Sequence, residues 1–332
     1  MNDLAVAAIP LAEEPLENVA YIYDGSTEGL LTAVFMSYAN HEDPQDVAKE
    51  GVLQPRLGQS LRYIDTDMDL ALRVAKGVQR DCGDDAFSAV VHASLSDDPD
   101  AGTIVYRFIR FAMPPGSGKA NKRAAGAKGR TGADEHTGIS RQADALRSTS
   151  AHERADTSGH AGANGQAGST GRTRQVRAID QTTHPTVEPL LKLDRAVMNE
   201  RHRLVQFLRF EHLENGAWFA RCNPNASVVP LLMDWFSGRF NTQPFMIYDE
   251  NHHLAGVYEG GDWYLVQTDS IELPAQAPEE ELMQSAWKRF YDTVSIEARY
   301  NPELRRQYMP KRLWKNILEV QDLAPSEAIV RR

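Results

Sequence analysis

The sequence predicts an α+β fold in which a mainly antiparallel sheet of about six strands packs against helices. Three β-branched and aromatic runs at residues 245–249, 254–258 and 263–268 are separated by turn residues, the pattern of a β-meander. Asn215-Gly216 stands between two apolar runs and is a strong hairpin signal. Apolar residues recur at helical spacing elsewhere. We expect one sheet, made of the meander, the hairpin and an N-terminal strand, in a chain interrupted by a long disordered insert.

The N-terminal part of the fold, residues 19–115, is predicted to hold one strand and several helices. Residues 1–18 are rich in Ala, Pro and Glu and are expected to form a flexible leader. Residues 19–23 read VAYIY, a run typical of a buried strand. Prolines and turn formers predict irregular structure at residues 42–65. Caps and apolar periodicity predict helices at residues 27–41, 66–82, 84–95 and 100–111.

Two arginines, Arg107 and Arg110, lie on the polar side of the helix predicted at residues 100–111. Such a pair usually forms a solvated face. The alternative, which the sequence leaves open, is that the two guanidinium groups contact a phosphate.

Residues 116–184 have the composition of a disordered insert. They contain no Phe, Trp or Tyr, hold 11 of the 23 glycines, and carry 11 Lys and Arg against 6 Asp and Glu. The whole chain has a net charge of −10, so the rest of the chain is acidic. An acidic fold is not typical of a protein that binds nucleic acid over its whole surface. The insert is expected to be a solvated linker or, alternatively, a weak and salt-sensitive contact to nucleic acid or a partner.

Residues 185–322 are predicted to complete the same domain. A helix at residues 186–200 leads into the hairpin of residues 199–224, and a helix capped by Ser227 precedes the meander. Further helices follow from residue 279 onward, where three glutamates mark a helix start. Residues 323–332 are expected to be a tail.

The hairpin segment is the first candidate site. A two-residue turn would place Leu213 opposite Trp218 and give the hairpin two apolar faces, so we expect it to be central and covered on both sides. Arg209 and Arg221 would then need partners, because a buried unpaired guanidinium is costly. Glu211 and other carboxylates could pair with them. Alternatively, five basic side chains line a site for an anion such as phosphate: Arg201, His202, Arg203, Arg209 and Arg221.

The C-terminal part is the second candidate site. Residues 286–316 hold eight Lys and Arg and three Asp and Glu, interleaved with aromatic residues that include Tyr291, Tyr300, Tyr308 and Trp314. This pattern either binds a nucleic-acid strand through phosphate contacts and base stacking or forms a helical hairpin whose aromatics pack inward. Lys311, Arg312 and Lys315 are the candidate contacts to nucleic acid. Whether they form one site with the hairpin residues is left open by the sequence.

Catalytic motifs are absent from the sequence. It contains no Walker A loop, no GxGxxG after a strand, no GxSxG and no HExxH. Cys82 and Cys222 stand alone, and His252-His253 is weak support for a metal site. We therefore predict no metal and no cofactor, assign no catalytic residue, and leave open whether the protein is an enzyme.

The sequence also bears on localisation. Its first residues lack the basic and apolar regions of a signal peptide, and no stretch approaches the ~18 apolar residues of a membrane span. The two isolated cysteines suit a reducing compartment. The sequence predicts a cytoplasmic protein without a membrane partner.

Several stretches resemble a bacterial family of probable DNA metabolism or putative DNA repair proteins. The hairpin segment ERHRLVQFLRFEHL and the meander segment FMIYDENHHLAGVYEGGDW are two of them. Others lie at residues 21–35, 66–74, 104–112 and 287–317. Members of this family are encoded beside a radical SAM protein, and some relatives are fused to a uracil-DNA glycosylase-like domain. This sequence lacks the cysteine cluster of a radical SAM enzyme, so the resemblance implies that such a cofactor belongs to the partner.

The residues and the resemblance together favour one function and leave two alternatives. The first is an accessory DNA-binding protein in DNA repair or modification that works with a radical SAM partner. The second is an enzyme that acts on DNA or a nucleotide through a pocket beside the 199–224 hairpin. The third is a scaffold that binds only protein.

Overall fold

The computed structural model describes residues 18–115 and 177–320 and contains two separate sheets in this part of the chain. The prediction of a single, mainly antiparallel sheet of six strands is therefore wrong, whereas the α+β class is confirmed. The elements of the N-terminal half are β1 (Val19–Tyr23), α1 (Thr27–Ala39), β2 (Asp46–Lys49), β3 (Ser60–Tyr63), α2 (Met68–Cys82), α3 (Asp84–Ser94) and α4 (Ala101–Ala112).

The first sheet is parallel and has the strand order β2-β1-β3. All five residues of β1 are buried, as expected for the central strand of a parallel sheet with both faces covered. Strands β2 and β3 lie in the segment predicted to be irregular. They are four residues long and lie among prolines and turn formers, so neither produced a periodic signal.

The four predicted N-terminal helices are confirmed, with ends that differ by one or two residues. The Ser26 hydroxyl accepts a hydrogen bond from the Gly29 amide at 2.9 Å and caps α1. Asp67 caps α2 in the same way. Gly83 separates α2 from α3 with φ +94°, a conformation that favours glycine.

The second sheet is mixed and has the strand order β4-β5-β6-β7-β8. The predicted meander is confirmed, and β5 pairs with β6 in parallel. The elements of this half are α5 (Val187–Phe207), β4 (Glu211–His212), β5 (Trp218–Cys222), α6 (Val229–Arg239), β6 (Phe245–Asp249), β7 (Leu254–Glu259), β8 (Asp262–Gln267), α7 (Pro278–Val294) and α8 (Pro302–Tyr308). Three short 3₁₀ helices lie at Ala178–Asp180, Glu297–Arg299 and Lys311–Asn316.

The hairpin forms at Asn215-Gly216, but its predicted register is wrong by one residue. The Leu213 amide donates to the Ala217 carbonyl at 2.9 Å, and His212 stands opposite Trp218. The loop has three residues, 214–216, and not the predicted two. Gly216 is the third, and its φ of +82° is a conformation that favours glycine. A slip of one residue moves the β4 side chains to the other face of the sheet. In addition, β4 is an edge strand, so the hairpin is not central.

The helix before the hairpin is longer than predicted. Helix α5 continues to Phe207, so Arg201, His202 and Arg203 lie on a helix and not on the hairpin. The same helix packs against α3 and α6 and so joins the two halves of the protein. The halves also meet where the Ser227 amide donates to the Leu95 carbonyl at 2.9 Å.

The last residues of the predicted insert belong to the fold. Arg177 pairs with Asp85 at 2.8 Å, Ile179 is buried, and His184 stacks on Phe111 with ring centroids 4.0 Å apart. Residues 116–176, the rest of the predicted insert, lie outside the described residues, as do residues 1–17 and 321–332. None of the described helices has both the length and the apolar character needed to cross a bilayer.

Candidate functional site

The two predicted basic segments lie side by side. The 3₁₀ helix Lys311–Asn316 packs against β5, and Arg312 donates to the Asn223 carbonyl at 3.0 Å. The Asn316 amide donates to the Asn223 side-chain oxygen at 2.9 Å. Shared carboxylates bring Arg203 together with Arg312, and Arg221 together with Lys315. We use the name basic surface for the set of eight candidate residues. It comprises Arg201, His202, Arg203, Arg209, Arg221, Lys311, Arg312 and Lys315.

A buried carboxylate, Glu200, organises one side of the basic surface. Its side chain is almost fully enclosed, and the Asn225 amide donates to Oε1 at 3.1 Å. The other carboxylate oxygen, Oε2, is contacted by Nη2 of Arg312 and lies 3.5 Å from Nη1 of Arg203. The Arg312 side chain is 26% exposed and the Arg203 side chain 41%, so Arg312 is the more enclosed of the two.

A more exposed carboxylate, Glu250, organises the other side. It pairs with Nζ of Lys315 at 2.7 Å and with Nη1 of Arg221 at 3.4 Å. Partial burial of Glu250 acts to raise its pKa, but hydrogen bonds from Lys315 and Asn223 outweigh that effect and hold the pKa below its ordinary value. Glu250 therefore stays ionised and orients both cations. The side chains of Arg221 and Lys315 remain about half exposed.

Arg209 is held by a third carboxylate. Its Nη2 lies 2.6 Å from Oε1 of Glu319, and its guanidinium lies 5.9 Å from the centre of the Trp287 ring. Burial opposes ionisation of Glu319, but the hydrogen bond from Arg209 outweighs it and lowers the pKa of Glu319. The sequence proposed Glu211 and other carboxylates as partners for Arg209 and Arg221. The structure pairs them with two of the other carboxylates, Glu319 and Glu250.

The remaining three members of the basic surface are Arg201, His202 and Lys311. The Arg201 side chain donates to the Leu231 carbonyl at 3.4 Å, and the His202 ring lies 2.8 Å from the Gln206 side chain. Lys311 is exposed. Among the candidates, Arg209 and Arg312 make close ion pairs with carboxylates that are only 5% exposed, so both help to hold the fold together.

A pocket of about 380 Å³ opens between the hairpin, α7 and the 3₁₀ helix Lys311–Asn316. Arg209, Arg221 and Lys315 are among its lining residues, together with Glu211, Glu250 and Glu280. Its volume suits a small ligand. Because cations and carboxylates are both present, the pocket is polar without being strongly positive.

The C-terminal aromatics do not all pack inward. Trp314 is buried, whereas Phe290 is 56% and Tyr308 is 66% exposed. Helix α7 has an apolar stripe at positions 283, 287, 290 and 294, all of which are exposed. On α8 the guanidinium of Arg305 lies 5.0 Å from the centre of the Tyr300 ring. This part of the protein therefore presents aromatic, aliphatic and basic side chains to its surroundings.

One polar cluster, centred on His252, was not predicted from the sequence. His252 lies between Asp249, 2.5 Å from its Nδ1, and Asp97, 2.7 Å from its Nε2. Burial favours the neutral imidazole, but the hydrogen bonds to Asp249 and Asp97 outweigh it and raise the pKa of His252 to about 9. The cluster joins the β6–β7 turn to the loop after α3. The described residues contain no arrangement of three or more His, Cys, Asp or Glu side chains that could hold a metal ion.

The fold and this surface define a mixed α+β protein that presents a basic surface on its C-terminal half. Residues 169–319 match the family model described as DUF4130, a domain of unknown function. No curated protein and no solved structure matches the chain. The matched segment contains the second sheet and all eight residues of the basic surface. The parallel sheet lies outside it.

Proposed function

We propose that this protein binds DNA through the basic surface and acts as an accessory factor in DNA repair or modification, together with a radical SAM partner. The observation that carries the proposal is the convergence of two basic segments on one surface. Arg221 and Lys315 share Glu250, and Arg203 and Arg312 share Glu200. Each shared carboxylate thus holds two cations side by side, and this arrangement concentrates positive charge that comes from stretches distant in the chain.

The charge balance of the basic surface supports an anionic ligand. Glu200 and Glu250 each pair with two cations, so each of these two groups carries one net positive charge. Arg203, Arg221 and Lys315 keep 41%, 47% and 56% of their side chains exposed. Exposed cations of this kind release counterions when they bind phosphates, which gives affinity without sequence readout.

Two aromatic side chains, one on α8 and one just before it, favour single-stranded over duplex DNA. Tyr300 and Tyr308 are exposed and lie close in the chain to Arg305 and Lys311. Exposed aromatic rings stack on unpaired bases, and neighbouring cations contact the backbone phosphates. Paired bases in a duplex offer no such faces. We therefore expect the single strand to bind more tightly.

The apolar stripe of α7 supports a protein partner. Met283, Trp287, Phe290 and Val294 follow a four-three-four spacing, and each of them is more than 40% exposed. This spacing is the one by which helices pair with other helices. A radical SAM protein, which the family resemblance implies, is the partner that we propose for this stripe.

The test is fluorescence anisotropy with labelled single-stranded and duplex DNA across a salt series. We expect the double variant Arg221→Gln, Lys315→Gln to bind single-stranded DNA at least about tenfold more weakly and to lower the salt slope by about 1.4. The control variant Lys76→Gln, Arg80→Gln removes the same charge from α2. Equal losses in the two variants would overturn the proposal, because binding would then follow net charge alone.

A second arm removes residues 116–176, which contribute basic residues of their own. This deletion keeps residues 177–184, because Ile179 and His184 pack on the fold. If the basic surface is the site, the shortened protein still binds and still loses affinity when Arg221 and Lys315 are replaced. Binding by the full chain alone would contradict the proposal.

An enzyme acting on a nucleotide is the second candidate, and the pocket of about 380 Å³ favours it. Glu211 supplies a partly exposed carboxylate beside Arg209 and Arg221 there. Incubation with a panel of damaged oligonucleotides, with and without divalent metal, tests this candidate. Turnover that is lost in Glu211→Gln would support it, and unchanged substrates throughout would remove it.

A further inference from the structure

One face of α4 lies against the segment that leads into β2. Thr103, Tyr106, Arg107 and Arg110 follow helical spacing and share this face. The Val47 amide donates to the Thr103 hydroxyl at 2.9 Å, and the Tyr106 hydroxyl donates to Asp43 at 2.7 Å. These contacts fix the orientation of the helix, and therefore of both arginines.

A pocket of about 400 Å³ opens beside this face and lies apart from the basic surface. Its lining residues include Arg107, Arg110, Asp43, Gln45, Phe111 and Thr186. Arg107 donates to the Gln45 carbonyl at 3.2 Å, which holds its guanidinium at the edge. The lining residues come from α4, the segment before β2 and the residue before α5.

The surroundings of Arg110 suit an arginine that binds an anion. Its side chain is only 21% exposed, and its guanidinium lies 4.7 Å from the centre of the Tyr38 ring. The ion pair that it makes within the described residues is long, with 4.0 Å between Nε and Asp43 Oδ1. That oxygen already accepts the Tyr106 hydroxyl, and the Asp43 side chain is 75% exposed. A mostly enclosed guanidinium with such a loose carboxylate partner favours a bound anion.

We propose that this pocket binds the phosphate group of a small phosphate monoester. Arg107 and Arg110 supply forked N–H donors that match phosphate oxygens, and Thr186 supplies a hydroxyl. The charges of the two guanidiniums outweigh that of Asp43, the carboxylate that also lines the pocket, so the lining favours an anion. The pocket is larger than a phosphate group, and Phe111 offers an apolar wall for the organic part. The proposal is independent of DNA binding at the basic surface.

The test is a thermal unfolding titration of the full chain with inorganic phosphate and with phenyl phosphate, at constant ionic strength. A ligand that binds only the folded state raises Tm in a saturable way. We expect both ligands to raise Tm, and phenyl phosphate to bind more tightly because of the Phe111 wall. Arg110→Gln should weaken binding at least about tenfold, which is the loss of one charge-assisted contact.

Two further variants keep the test decisive. Arg107→Gln changes an exposed side chain and should also weaken binding, so the result does not depend on the folding of Arg110→Gln alone. The variant Arg221→Gln, Lys315→Gln should keep the phosphate response, because it alters only the basic surface. A response that does not saturate, or one that is lost in the basic-surface variant and kept in both pocket variants, would overturn the proposal.

Discussion

Glu200 and Glu250 each hold two basic side chains of the same surface, but they differ in burial. The Glu200 side chain is 5% exposed, whereas that of Glu250 is 28% exposed. Removing a carboxylate from water is costly. The stability of the fold therefore depends on the partner of a buried carboxylate, but little on the partner of an exposed one. The comparison separates arginines that hold the fold together from cations that remain available to a ligand. In the sequence, the two kinds look the same.

The largest effect is expected at the buried carboxylate. Replacing Arg312 with Ala leaves Glu200 enclosed without its main partner, and we expect the free energy of unfolding to fall by about 3–5 kcal/mol. Urea denaturation followed by circular dichroism measures this change. Arg203→Ala is the matched control, because Arg203 contacts the same oxygen from a more exposed position.

We expect the control to lose no more than about 1 kcal/mol, which is typical of an exposed ion pair. If both variants lost the same small amount, burial of Glu200 would not distinguish the two arginines. The comparison between Glu200 and Glu250 would then fail.

Asp249 extends the comparison, because its side chain is fully buried and its partner, His252, changes charge with pH. Folding raises the pKa of His252 to about 9, from an ordinary value near 6.5. Protonated His252 therefore stabilises the fold fully below about pH 6.5, and this contribution is lost as the pH rises through about 9. We expect a loss of about 2–3 kcal/mol between pH 6.5 and 10. Asp249 and Asp97 are the carboxylates that face the ring, and Asp97 also interacts electrostatically with Lys49.

Chemical denaturation at several pH values measures this loss. Other groups titrate in the same range, so the wild type is compared with His252→Gln. The difference between the two proteins should shrink as the pH rises. A constant difference across this range would mean that the charge of His252 contributes nothing to stability.

Local patterns in the sequence predicted most helices and the meander, but they did not predict which strands share a sheet. The helices carry caps such as Ser26 and Asp67, and the meander alternates strands with turn residues. Strand β1 pairs with β2 and β3, which are too short to show a period. The hairpin register was missed because it depends on Gly216 acting as a third loop residue.

The sequence predicted the cations of the candidate site but not the carboxylates that pair with them. Basic residues are visible as clusters in the sequence, whereas Arg312 and Glu200 are separated by more than a hundred residues and meet only in the fold. The contact between Arg203 and Glu200, at helical i,i+3 spacing, could have been found from the sequence. The cluster around His252 could not, because Asp97 comes from the other half of the chain.

The smallest effect on stability, with the clearest effect on binding, is expected at the exposed carboxylate. Glu250→Gln removes the charge that holds Arg221 and Lys315 and should change the free energy of unfolding by less than about 1 kcal/mol. If the basic surface binds DNA, the same change should strengthen binding to single-stranded DNA about threefold at low salt, because two cations gain freedom to contact phosphates. Anisotropy measures the affinity, and Gln at position 250 can still accept a hydrogen bond from Asn223.

The matched control is Glu259→Gln, at the end of β7, which should leave the affinity unchanged. Weaker binding by Glu250→Gln would mean that Glu250 positions the two cations for the ligand, and then the carboxylate would belong to the site.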